Sequence, residues 1–145
     1  MNLRTLAVFA FTLAAAGRMS AEALIFQSNI PFSFVVNGRT LPAGEYSVRQ
    51  PNSTITESFV RIQGTAQKVG ALVMAVPTTA APKMESAPAR PGMARLVFHR
   101  YGDQYFLFQI WTADDRGEQI PQTRQEREIA AHRTAPHESV AVALR

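Results

Sequence analysis

Few residues in this chain have ligating or acid–base chemistry. His99, His132 and His137 are its three histidines and there is no cysteine, so a metal site would have to combine imidazoles with carboxylates such as Glu128 or Glu138. Glu128 and His132 have the i, i+4 spacing that puts two side chains on one helix face. Two ligands do not hold a metal, however. His137 follows Pro136 and stands outside that helix, and nothing in the sequence brings His99 to the pair. The pattern predicts solvated histidines, with no metal and no cofactor. Nucleophilic catalysis would need a Ser or Thr beside a His and an orienting acid, and neither a G-x-S-x-G nor an S-x-x-K pattern occurs. The nearest constellation is His99 with Asp103 across a tight turn, and strand and turn grammar accounts for both. Asp114-Asp115 likewise reads as turn chemistry, and Asn52-Ser53-Thr54, which fits a glycosylation pattern, reads as a turn as well. No catalytic residue is expected, because a chain this small leaves little room for a cleft with a supported site.

Two aromatic patterns remain. Arg95, Phe98, Arg100, Tyr101, Tyr105 and Trp111 interleave arginine with rings that could stack on bases. Aromatics are common in strands, though, and the positive charge is spread along the whole chain, so no nucleic-acid partner is expected. Phe32, Phe34, Phe98, Phe106, Phe108 and Trp111 could line a cavity for a small apolar ligand. The same six side chains are also what an ordinary core requires.

The chain has 145 residues, 46% apolar and 18% charged, with a net charge of +4. That composition excludes intrinsic disorder, and the lack of cysteine excludes a disulfide framework and a lipid anchor on cysteine. Arg4, the apolar run Leu6 to Ala16, and the small residues of Ala21-Glu22-Ala23 follow the order of a secretory signal peptide. The apolar run is too short to span a bilayer as a helix. Residues 1–23 are therefore expected to be cleaved, leaving a mature chain from Leu24 that is periplasmic or extracellular and does not span a membrane. Lys68 and Lys83 are its only lysines, so arginine carries nearly all the positive charge. Weak contact with envelope components, namely anionic polymers or lipids, would suit arginine forks.

The elements that must position these side chains are mostly strands. Ile30, Phe32, Phe34 and Val36 alternate up to an Asn37-Gly38 turn, and Leu41-Pro42-Ala43-Gly44 precedes a second alternating run, Glu45 to Gln50. Further strands are expected at 56–63 and 68–76, followed by a Pro- and Ala-rich loop at 77–93. Arg95 to Tyr101 and Gln104 to Thr112 read as a hairpin joined by Gly102-Asp103. The second of these runs is apolar on both faces, with Tyr105, Leu107 and Trp111 on one side and Phe106, Phe108 and Ile110 on the other. Thr123 and Glu126 match a capping box that opens a mostly polar helix near 123–133, and Val140, Val142 and Leu144 alternate as a last edge strand. Residues 24–145 should form one mainly β domain. The expected form is a small antiparallel β-sandwich or partly open barrel of about six or seven strands, with one short C-terminal helix.

Three stretches together resemble a known group. Pro31-Phe32-Ser33-Phe34-Val35-Val36 running on through Leu41-Pro42-Ala43-Gly44-Glu45-Tyr46, then Leu96-Val97-Phe98-His99-Arg100-Tyr101-Gly102-Asp103-Gln104-Tyr105-Phe106-Leu107, and Thr123-Arg124-Gln125-Glu126-Arg127-Glu128 are similar to small exported proteins of unknown function that are numerous in acidobacteria. The resemblance spans most of the mature chain. It implies a bacterial envelope or secreted protein with a β-rich fold, and it brings no catalytic residues with it.

Overall fold

A computed structural model describes residues 24–50, 58–81, 92–134 and 136–145. The expected signal segment, the Asn52-Ser53-Thr54 turn and most of the Pro- and Ala-rich loop lie outside the described residues. The strands are β1 (Leu24–Ile30), β2 (Phe34–Val36), β3 (Arg39–Leu41), β4 (Gly44–Gln50), β5 (Ser58–Gly64), β6 (Gly70–Thr78), β7 (Arg95–Tyr101), β8 (Gln104–Trp111), β9 (Gly117–Gln119) and β10 (Glu138–Ala143), with one helix, α1 (Arg124–Ala131), before β10.

These strands make one ten-stranded sheet that is not closed. β1, β4, β5 and β6 form antiparallel neighbours in that order. On the other side β10, β7 and β8 run antiparallel, and the far edge of β8 is shared by β9 along Gln109 to Trp111 and by β2 at Phe106. β6 links the two halves, since its first part pairs with β5 while Val76 to Thr78 pair with β9. The sheet then curls until Gln27 and Arg145 exchange two backbone hydrogen bonds of 2.9 and 2.8 Å. Ser28, buried at this seam, is satisfied by donating to the Ala143 carbonyl at 3.0 Å. Ile30, Phe34, Tyr46, Ile62, Leu96 and Phe98 fill the space enclosed. This is the partly open barrel form of the expected architecture.

Several details differ from the sequence reading. Ten strands replace six or seven because β2, β3 and β9 have three residues each, too few to show a period. The alternating run from Ile30 is two strands, because Pro31 interrupts pairing: Ile30 ends β1 while Phe34 and Val36 belong to β2. The strand expected to end at Val76 continues through Pro77 and Thr78. Pro77 there stands opposite Glu118 of β9. The helix is shorter than 123–133, although Thr123 is its N-cap and accepts from the Glu126 N–H at 3.2 Å as the capping box requires. Both tight hairpin turns occur as read. Asn37 and Gly38 have φ of 48° and 73°, a type I′ pair, and Gly102 has φ of 64°.

The stretch from Leu41 to Tyr46 has a packing explanation. Leu41 and Tyr46 are buried in the core, and the Tyr46 hydroxyl donates to the Pro42 carbonyl at 2.6 Å. The ring thereby clamps the turn that feeds β4, much as a tyrosine corner does in β-sandwiches. Tyr46→Phe keeps the ring and removes only this bond, leaving a carbonyl unpartnered. It should cost about 1 to 2 kcal/mol, measured as a lower urea midpoint with unchanged slope.

Candidate functional site

Strand β8 has no face open to water, and its second face gathers the polar chemistry. The pairing Val97↔Gln109 followed by Phe98↔Leu107 leaves Phe108 as an extra residue, a β-bulge. The bulge changes the alternation. Leu107 and Ile110 both face the main core, while Phe106, Phe108, Gln109 and Trp111 belong to the opposite side. The division read from strict period two, with Trp111 beside Leu107 and Ile110 beside Phe108, is thus corrected by one inserted residue.

On that second face Tyr101, Phe106 and Val35 form a small apolar cluster covered by Ile129 of α1. Three residues before Ile129 on the helix, Glu126 points the same way and is 3% exposed. Its Oε1 accepts from His99 Nδ1 at 3.0 Å, from Gln122 Nε2 at 3.3 Å and, at 3.4 Å, from the Tyr101 hydroxyl. His99, also 3% exposed, lies between two rings: Phe108 with centroids 3.7 Å apart and His137 at 3.8 Å. The Glu126 side chain thus leaves the reciprocal half of the capping box to hold the helix onto the sheet. Tyr101 is pushed up to about 12, first by burial and then by the Glu126 charge and hydrogen bond. His137 is pushed down, by burial and then by His99, with Glu126 opposing.

The histidines therefore do not all sit in solvent. His99 is buried, its acid is Glu126 rather than Asp103, and His137 reaches it from beyond the helix. His132 does follow the sequence reading and is exposed, with Nδ1 at 2.7 Å from the Glu128 carbonyl, while the Glu128 carboxylate takes Arg124 at 2.7 Å. Among the described residues no three His, Asp or Glu side chains are arranged to hold a metal ion. The His99–Glu126 pair has the geometry of an oriented base, and the buried Ser139 of β10 stands directly opposite His99 in the β7–β10 ladder, with Tyr101, Gln122 and the rings of Phe108 and His137 completing the surroundings. Asp114 is taken up in its turn, held well below the usual carboxylate range by the Thr112 hydroxyl and then by the Arg116 guanidinium at 2.5 Å.

The six aromatics proposed as a ligand cavity do not converge. Phe34 and Phe98 meet edge to face in the main core, with Phe32 at its margin stacked 3.8 Å from Tyr105. Phe106, Phe108 and Trp111 lie across the sheet, Trp111 donating to Gln109 at 3.0 Å beneath the Arg95 guanidinium. The bulge and the double burial of β8 separate the two sets. None of the six lines the hollow of about 360 Å3 at the β1–β10 seam, and a core void of about 10 Å3 beside Ile110 is no larger than a water.

The exposed chemistry lies elsewhere. β6 buries Ala71, Val73 and Ala75 and turns Leu72, Met74 and Val76 outward, where they are 50%, 46% and 46% exposed. Phe59 of β5 stands opposite Met74 on the same outer face and is 46% exposed. The sequence reading missed this stripe, because an apolar run on both faces reads as a strand buried on both sides. No helix among the described residues is long and apolar enough to cross a membrane. No protein-family model matches the chain, and no curated protein or solved structure matches it.

Removing one member of the buried pair leaves the other's polar atoms stranded. Glu126→Leu should cost about 3 kcal/mol, and adding His99→Phe should recover part of that loss, which a double-mutant cycle by urea unfolding would quantify. The pH dependence has two arms. Tyr101 loses its proton less readily folded than unfolded, so its contribution is complete below pH 10 and is lost as pH rises towards about 12. Tyr101→Phe should flatten the alkaline limb of a stability–pH profile over that window. His137 binds a proton less readily folded than unfolded, so its contribution is complete above its ordinary value of 6.5 and is lost as pH falls below it. His137→Asn should flatten the acid limb.

Proposed function

We propose that this protein is an exported, non-enzymatic β-domain that acts in the cell envelope or outside the cell as a binding or structural module. The observation that carries the reading is the exposed apolar stripe Phe59, Leu72, Met74 and Val76, held on a rigid sheet while the acid–base groups His99 and Glu126 are packed beneath a helix. A contiguous apolar patch on a folded surface marks an interaction site. Export is supported by the order of Arg4, the apolar run and Ala21-Glu22-Ala23, and by the resemblance to small exported proteins.

The test is to express the full chain with a C-terminal tag in a bacterium and fractionate the cells. The exported fraction should contain a chain whose intact mass begins at Leu24, and native mass spectrometry of it should show bare protein or a homo-oligomer. A chain that keeps Met1 and stays in the cytoplasm overturns the export reading. A stoichiometric small molecule released on denaturation replaces it with the apolar-ligand reading.

A further inference from the structure

The outer face of β5 and β6 joins its apolar stripe to an unusual set of charges. Arg49 of β4 and Arg61 of β5 are directly opposite each other and both exposed, and Arg61 is in turn opposite Leu72. Like charges so placed destabilise a sheet. No ion pair with a described carboxylate relieves them. Beside them a shallow, open hollow of about 240 Å3 has Arg39, Arg61, Lys68 and Leu72 among its lining, so three cations and the first residue of the stripe border one depression. Arg39 is held there by donating to the Gly70 carbonyl at 3.3 Å. The nearest neutral positions of the face are Ser47 and Gln63, and its one described acid, Glu45, lies beside Thr65 where β5 turns towards β6, on the edge of the face away from the apolar stripe.

We propose that this face docks on an anionic lipid bilayer, with a lipid phosphate in the Arg39–Arg61–Lys68 hollow and Leu72, Met74, Val76 and Phe59 inserted among the outer methylenes. The proposal rests on the reading of the protein as a binding module and names its partner. Guanidinium groups match phosphate oxygens bidentately, and a row of apolar side chains beside them suits the headgroup boundary. A free inorganic anion would leave the stripe unused. A second copy laid face to face on this one would set two faces of net positive charge together, adding to a repulsion already present.

The experiment is co-sedimentation of the protein, as purified from its expressing cells, with phosphatidylcholine vesicles that either contain or lack phosphatidylglycerol. The protein should sediment with the anionic vesicles and be released by salt. Arg61→Gln should lower partitioning about fivefold, and Leu72→Ser with Met74→Ser at least about tenfold. All three side chains are exposed, so far-UV circular dichroism should stay unchanged and the unfolding midpoint should not fall, rising slightly for Arg61→Gln as the repulsion from Arg49 is removed, which certifies the fold. Equal binding to both vesicle types, binding that survives these substitutions, or no binding overturns the proposal. So does saturable binding of inorganic phosphate that competes with the vesicles and ignores the serine substitutions. A photo-crosslinker at Leu72 in the intact envelope separates the two levels. Adducts to a protein or to a second copy overturn the lipid while leaving the module reading in place, and no adduct of any kind overturns both.

Discussion

Strand β8 lies in the middle of the molecule with neither face in water, and much of the architecture follows from that constraint. Its first face meets the barrel core through Leu107 and Ile110. Its second face must be covered by something, and the cover comes from α1, through Ile129 and Glu126, and from His137 beyond the helix. Polar groups buried without partners are costly, and apart from the Arg95 Nε the principal ones on that face have specific partners. His99 has Glu126, while Gln109 receives the Trp111 N–H and donates to the Ala80 carbonyl at 3.1 Å. The bulge at Phe108 apportions the side chains between the two faces.

The division between buried acid–base chemistry and exposed apolar surface follows from the same economy of layers. The one helix among the described residues packs on the β7–β8 side, and the outer face of β4, β5 and β6 has no covering element among them. Arginine and apolar side chains share that uncovered face, an arrangement that favours association with a surface over solvation alone. His99 and Glu126 are fixed between sheet and helix, where their pairing favours one docking geometry of the helix.

Legibility in the sequence tracked the range of the interaction. The two-residue turns at Asn37-Gly38 and Gly102-Asp103, the Thr123 cap, the strand periods of β4 and β7 and the alternation of β10 are local, and each was readable because a backbone conformation or a period restricts residue type within a few positions. The six aromatics show the opposite. Their identity as buried residues was plain, but strict alternation placed Ile110 with Phe108 and missed the bulge, because one extra residue in a ladder depends on the partner strand.

By itself, then, the sequence determined a mainly β chain with one late capped helix and a likeness to an export signal at its start, since composition, caps, turns and short periods are properties of contiguous residues. Only the tertiary structure decided that His99 takes Glu126 rather than Asp103, that His137 stacks on it, and that Leu72, Met74 and Val76 face out while Ala71, Val73 and Ala75 face in. These outcomes depend on which strands become neighbours and which face the helix covers. Such choices are made by the packing of the whole sheet, with no local preference in the residues to announce them.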